Sequence, residues 1–567
     1  MSGDLITIAP LVVVGLTAVA VLLSDALTPS RRYAPIAVAL AGLGSTCWIL
    51  LQQGDTVETA LSGAYIGGPF VAYLGLLGSA VVALTLLVSP DHLAARRYPS
   101  AEFAATLLFA LCGAIMVGAS GDLVTLFIGL ELMVIPGYLL AGYAKRDPLS
   151  TEGAVKYFLL GSFSSAILLF GIVLLWGATG TASLAGVASA LAAGGTGIKP
   201  AVAMGLALMT TGVAFKIAAV PFHYWTPDAY QGSPTPITGY LSVGPKIGAF
   251  VLMIKTFLIA LAPLAGTWIP VVAVLATATM TLGNLVALTQ SNVKRMLAYS
   301  SIAHTGYLMV GVVAAGAGES AGVSGVLFYS AAYALMNIGA FAFLTSVQGR
   351  PGATVQLADL AGLGRKHPLT ALLAALFLLS LTGIPPTAGF FAKAYVILSA
   401  VQAGGIASVL AIVAVLNAAD PDFFDILNRV EVINFTGGET VLQKQVHDVM
   451  DYLIQQDLAK NVLITLLTNA SSSPNDLADK FQHFKSVIYN VSIDGIGAVS
   501  EYQRRGSKWA KVEPNALQLM HHPKISTVIN FVLTGVNALN IMDFVDWAYA
   551  NNFGPQRPDQ ANNSYIN

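Results

Sequence analysis

FKIAAVPFHYWTPDAYQGSPTPITGYLSVGPKIGAF, residues 215–250, decides the fold. An apolar run reaches Pro221, and a second one resumes near 236–262. Lys216 and Lys246 stand inside these runs. Proline removes a helical hydrogen bond and crowds the preceding turn, so the first run is a broken helix. LTGIPPTAGFFAK, residues 381–393, repeats the design with a break at Pro385–Pro386 followed by Lys393. Inside a bilayer, freed backbone groups must be buried in protein or line a cavity. Paired broken helices in two halves of a chain mark an ion or substrate path.

Working outward, runs of the roughly 20 apolar residues that a spanning helix needs recur from near the N-terminus to about residue 402, with a shorter one at about 404–418. They predict about thirteen spans. The chain has 567 residues, 55% hydrophobic and 10% charged, against about 25% charged in a soluble protein. That excludes an ordinary soluble enzyme. With a net charge of -1, nothing in the charge balance points to a nucleic-acid partner. Two cysteines, Cys47 and Cys112, cannot supply the four thiolates of an Fe–S cluster. The run Leu5 to Leu23 reads as a span rather than a cleaved leader. Arg31–Arg32, Arg96–Arg97, Lys145–Arg146, Lys294–Arg295 and Arg365–Lys366 fall in alternate loops, while Asp55, Glu58, Asp122 and Glu319 fall in the others. Basic loops stay cytoplasmic, which puts the N-terminus outside and the tail in the cytoplasm.

Four ionisable residues at membrane depth carry the candidate site: Glu131 in LFIGLELMVIPGYLL, Lys216, Lys246 and Lys393. His304, in LAYSSIAHTGYLM, is a further relay candidate. Burial makes a lysine release its proton more easily and a neighbouring carboxylate opposes this, so a Glu131–Lys216 pair can toggle a proton. The bland alternative is an ion pair that only holds helices together. Lys156 and Lys255 read as side chains reaching from span ends to the interface. Asp228 reads as a cap of the second half-helix.

These residues carry a resemblance. The 215–250 stretch resembles the proton-translocating antiporter-like subunits of respiratory complex I, the NADH:quinone oxidoreductase. GLELMVIPGYLLAGY and VKYFLLGSFSSAILLFGIVLLWGATG look like its subunit N (chain 2), and VKRMLAYSSIAHTGYLMVG and LTGIPPTAGFFAKAYV fit the same family. The similarity covers about residues 1–416. It implies an all-α polytopic membrane protein with three leading helices (1–100) and two antiporter-like inverted repeats (101–265 and 266–418, the second truncated). It also implies a charge pair matching Glu131 and Lys216, with Lys246 and Lys393 further along a proton path. The implied partners are the other membrane subunits of the complex and the lipid bilayer. NADH, flavin, Fe–S clusters and quinone belong to partner subunits, with no cofactor or metal on this chain. The implied home is a bacterial inner (plasma) membrane. A subunit of a multi-subunit cation/proton antiporter is the alternative within this fold.

Beyond residue 416 the text changes. Residues 1–416 hold 17 Lys+Arg and 13 Asp+Glu; residues 417–567 hold 11 and 16 in a much shorter stretch. VEVINF, NVLITLLTN and SVIYNVSIDG read as strands, and VLQKQVHDVMDYLIQQD and ALNIMDFVDWAYANN as helices. Such alternation predicts a parallel α/β sheet over 420–567. FTGGET, LLTNAS and VSIDGIGAVSEYQRRGSKW resemble the later part of a radical S-adenosylmethionine enzyme. That resemblance matches Gly437, Gly438 and Glu439 to a cofactor-binding strand end, with Thr440 where proline is usual. The family's CxxxCxxC cluster loop is missing, since residues 417–567 contain no cysteine. The tail therefore reads as a truncated, catalytically inactive partial barrel. The abrupt border without a linker reads as a chimeric join. A membrane-tethered radical enzyme is the alternative from a different class.

Overall fold

The computed structural model describes residues 2–28, 33–194, 199–348, 355–360, 362–418, 432–435, 444–455, 459–471, 479–493, 496–503, 508–520, 525–530, 541–551 and 565–566. The chain divides into two compact units, Met1–Pro421 and Asp422–Asn567.

The first unit is helical. Its main helices are α1 (Ala9–Leu27), α2 (Ala34–Gln53), α3 (Pro69–Val88), α4 (Ser100–Ala119), α5 (Leu123–Ala141) and α6 (Pro148–Thr179). Next come α7 (Pro200–Lys216), α8 (Trp225–Gly232), α9 (Thr235–Leu241) and α10 (Gly244–Met253), the last continuing as a π-helical turn at Ile254–Ala260. The series ends with α11 (Ala265–Leu288), α12 (Val293–Gly316), α13 (Ala321–Val347), α14 (Pro368–Thr382), α15 (Ala388–Ala403) and α16 (Gly405–Ala418). A small hairpin, β1 (Thr59–Ala60) and β2 (Tyr65–Ile66), follows α2. The apolar residues of most helices run all round, as expected where one side packs on neighbours and the other meets lipid. α12 is buried along most of its length, whereas Leu16, Trp48, Phe163, Val274 and Leu372 point outward from other helices.

Among the described residues, ten helical stretches are long and apolar enough to cross a membrane. This is fewer than the thirteen read from composition, because composition does not see where a run is cut. The run at 200–220 ends as a helix at Lys216, and that at 368–402 is divided at 383–387. The final one is Gly405–Ala418, 14 residues, about 21 Å.

Two readings, one of an interface lysine and one of a helix cap, need correction. Lys255 is 6% exposed, and its ammonium donates to the Ser120 carbonyl at 2.6 Å. It closes the C-terminal end of α4, where a cation meets the negative end of the helix dipole. Asp228 does not cap α8; Tyr224 holds that position without a side-chain bond. Asp228 instead pairs with Lys156 and Arg295, each at 2.7 Å, and so ties α8 to α6 and α12. Lys156, its side chain 42% exposed, also pairs with Glu152 at 2.6 Å.

The second unit contains strands β3 (Val432–Phe435), β4 (Leu463–Thr468), β5 (Ser486–Ser492), β6 (Ile525–Asn530) and β7 (Tyr565–Ile566). They pair in parallel in chain order, with Leu463 opposite Ser486 and Val487 opposite Ile525. Helices α17 (Lys444–Gln455), α18 (Gly497–Gln503), α19 (Trp509–Met520) and α20 (Ile541–Ala550) connect them. The alternation of burial along β5 sets Val487, Tyr489 and Val491 into a core with Met450, Leu453, Phe481 and Phe544. The parallel alternation read from sequence is present. Gly437, Gly438 and Glu439 lie outside the described residues.

Candidate functional site: a polar chain through the helical core

Both helix breaks are stitched by side chains, the first from distant helices and the second from its own two half-helices. After Lys216 the chain leaves α7, and Ala218 takes a left-handed φ of 60°. The Ile217 carbonyl accepts from Thr305 Oγ1 at 2.9 Å, and the Val220 N–H donates to Thr279 Oγ1 at 3.0 Å. Trp225 Nε1 donates to the Phe215 carbonyl at 3.3 Å. At the second break, Lys393 Nζ donates to the Thr382 carbonyl at 2.7 Å, and the Gly389 N–H to Ser380 Oγ at 3.2 Å. Each orphaned backbone group named here has a protein partner, as a lipid environment demands.

The predicted residues fall near this stitching. Glu131 on α5 and Lys216 on α7 form an ion pair of 3.5 Å, with side-chain exposures of 22% and 3%. Ser165 of α6 lies between them: Lys216 Nζ donates to its Oγ at 2.6 Å, and Ser165 Oγ donates to Glu131 Oε1 at 2.5 Å. Tyr138 Oη and the Gly161 carbonyl each sit 3.4 Å from Lys216 Nζ. Gly161 must be glycine, since a Cβ there would lie 2.1 Å from the Tyr138 hydroxyl.

From Lys216 the chain continues. Thr305 Oγ1, already bonded to Ile217, also reaches the Ser301 carbonyl at 3.2 Å. Lys246 Nζ donates to that carbonyl at 2.6 Å and to Ser301 Oγ at 2.5 Å. It also stands 5.8 Å from the centre of the Tyr333 ring. Among the described residues Lys246 has no carboxylate in ion-pair contact. The His304 ring lies 5.0 Å from that of Tyr333, and its Nδ1 shares a 2.7 Å hydrogen bond with the Tyr329 hydroxyl. Tyr307 is next: its ring is 6.1 Å from His304 and 4.9 Å from Lys393 Nζ. Asn284 Nδ2 donates to Tyr307 Oη at 3.1 Å and to the Asn417 carbonyl at 2.9 Å. Glu131, Ser165 and Lys216 thus form one bonded cluster, and Lys246, His304, Tyr307 and Lys393 line a second, tied to the first through the Ile217 carbonyl that Thr305 holds.

Sequence reasoning missed Ser165, Thr305, Ser301 and the tyrosines. One signal was present: Tyr329, Tyr333 and Asn337 recur every four residues in an apolar helix and so share a face. Ser301 and Thr305 flank His304 with the same spacing between them. Among the described residues, no group of three His, Cys, Asp or Glu side chains could hold a metal ion.

Comparison with known proteins follows the same division. A family model described as "NADH:quinone oxidoreductase/Mrp antiporter, TM" matches residues 120–417. A "NADH-quinone oxidoreductase subunit N" of Trichlorobacter lovleyi is 40% identical over 439 residues, covering 77% of this chain and 88% of that protein. A "NADH-quinone oxidoreductase subunit N 1" of Koribacter versatilis is 41% identical over 431 residues, with coverages of 73% and 84%. In structure, a chain of respiratory complex I from Thermus thermophilus superposes with a TM-score of 0.61 at 31% identity, over 73% of this chain and 87% of that one. A chain of the Mrp complex from a Dietzia species gives 0.60 at 25% identity, over 73% and 78%.

Proposed function

We infer the function from one premise: the chain belongs to the family of NADH-quinone oxidoreductase subunit N, within the wider NADH:quinone oxidoreductase/Mrp antiporter family. It is a multi-pass, proton-translocating membrane subunit of that enzyme complex, and other membrane subunits are its partners. Electron transfer takes place on partner subunits, with NADH, flavin, Fe–S clusters and quinone bound there.

We further propose that protons cross by Glu131, Lys216, Lys246, His304 and Lys393. The observation that carries this reading is the Glu131–Ser165–Lys216 contact, with buried Lys246 held on Ser301, one helical turn from the Thr305 that bonds the Ile217 carbonyl. At 3.5 Å the carboxylate and ammonium attract each other. A push from a neighbouring subunit that separates them frees Lys216 to pass its proton toward Lys246. The two broken stretches support inverted repeats over 101–265 and 266–418, after three leading helices. Counting 200–216, 368–403 and 405–418 as spans gives thirteen, and the basic loops favour an outside N-terminus and a cytoplasmic tail in a bacterial plasma membrane. For the tail, the parallel sheet supports a truncated radical-enzyme-like unit without its cluster.

Lys216→Ala should abolish coupled quinone reductase activity and proton pumping in reconstituted complex. Wild-type pumping by that variant defeats the axis. The likeness to the Mrp complex favours a second reading, cation/proton exchange. Sodium-dependent proton movement without quinone reduction would select it.

A further inference from the structure

Glu131 and Lys216 meet more loosely than either meets Ser165. Oε1 and Nζ are 3.5 Å apart, whereas each makes a much shorter contact with Ser165 Oγ, at 2.5 and 2.6 Å. The hydroxyl stands at the corner of a bent path close to a right angle. An ammonium can only donate, and a hydroxyl has one hydrogen and two lone pairs. Lys216 therefore donates to Ser165, and the single serine hydrogen has to choose an acceptor. Two are in range: Glu131 Oε1 at 2.5 Å and the Gly161 carbonyl at 3.0 Å, one turn back on the same helix.

We propose that Ser165 is the proton relay and switch of the charge pair: its hydroxyl carries a proton between Lys216 and Glu131, and turning it to the Gly161 carbonyl interrupts that route. The inference rests on the reading of Glu131 and Lys216 as the pump's pair. In the transfer, one N–H bond of Lys216 breaks as an O–H bond forms at Ser165. The former serine O–H breaks as an O–H bond forms at Glu131. The lysine is left as a neutral amine and the glutamate as a neutral acid; the serine is again a neutral hydroxyl. Atoms and charge balance, and no side chain has to swing.

Once Glu131 holds the proton, it becomes the donor to Ser165 Oγ. The serine hydrogen is left donated to the neutral Lys216 amine, 2.6 Å away, and turns to the Gly161 carbonyl when that amine takes up a fresh proton and can no longer accept. In that state Lys216 again holds a proton, and that proton cannot run on into Glu131. Tyr138, 3.4 Å from Lys216 Nζ, closes the remaining side of the cage. One hydroxyl thereby separates loading from discharge.

The test compares Ser165→Ala, Ser165→Thr and Lys216→Ala in the assembled complex, in membrane vesicles, with subunit content checked on native gels. Ser165→Ala removes a single oxygen and should assemble. Its pumping should fall by about tenfold or more, the scale of one lost proton-transfer group, and its pH profile should flatten. Ser165→Thr restores the hydroxyl and should recover the rate and the profile. Wild-type pumping with a wild-type profile in Ser165→Ala overturns the relay, as does a Ser165→Thr variant no better than Ser165→Ala. Should Ser165→Ala fail to assemble, Ser165→Cys decides: its weak thiol donor should slow pumping, and a wild-type rate overturns the proposal. Lys216→Ala separates the two levels. If it pumps normally, the reading of the pair falls; if it is silent while Ser165→Ala pumps normally, only the relay falls.

Discussion

Glu131 and Lys216 should behave as one unit in a double-mutant cycle. At their separation of 3.5 Å the Coulomb attraction is about 5 kcal/mol with an effective dielectric of roughly 20. Removing one partner of a buried pair leaves an uncompensated charge, which costs about 3–5 kcal/mol, and removing both leaves none. Lys216→Met alone and Glu131→Gln alone should each cut pumping by about a hundredfold or more. The double variant should be no slower than the worse single one, and should assemble at least as well. The assay is dye-reported acidification of membrane vesicles, divided by the rate of NADH oxidation and by subunit content. If the two single losses multiply in the double variant, the residues act independently and the coupled pair is wrong.

His92, on the short helix Pro90–Ala95 outside the spans, gives a pH prediction. Burial, followed by the charges of Arg96 and Lys294, holds its imidazole down to about 3. As pH falls below 6.5 the unfolded chain binds a proton there while the folded one does not, so folding is weakened by about 2 kcal/mol at pH 5. His92→Gln should remove that acid-dependent part, seen as a smaller loss of stability between pH 7 and pH 5 in detergent melts; identical pH dependence in both proteins counts against it. Gly389→Ala should damage the second break, because its Cβ would sit 1.7 Å from the Ser380 carbonyl. Overpacking of this kind costs about 1–3 kcal/mol and would pull Lys393 from the Thr382 carbonyl. Lower melting temperature with weaker pumping is expected, and an unchanged variant would mean that the backbone there gives way freely.

The breaks and the buried charges were legible because each violates a rule of membrane helices: a proline inside an apolar run, or a lysine in one. Pro221 and Lys216 announce themselves in any reading of 215–250. Ser165 does not, because serines are common in apolar helices and only the distance to Glu131 reveals its use. Lys255 was misread for a related reason. Position along a run says how near a span end a residue lies, not whether a carbonyl of another helix waits there. Asp228 has the composition of a cap, but two cations from distant segments claim it. The parallel sheet of the tail was readable from alternation, since strand and helix periods differ strongly.

The groups that complete the first break come from the far side of the sequence. Thr279 belongs to α11 and Thr305 to α12, yet they satisfy backbone atoms at Val220 and Ile217. Everything up to residue 265, made alone, would be an unfinished object with bare peptide groups in oil. The first half thus leans on the second like an arch on its abutment: the second cannot drift in shape without laying open the backbone at 217–220, and a cut between them would silence the relay even with every titratable side chain still in place.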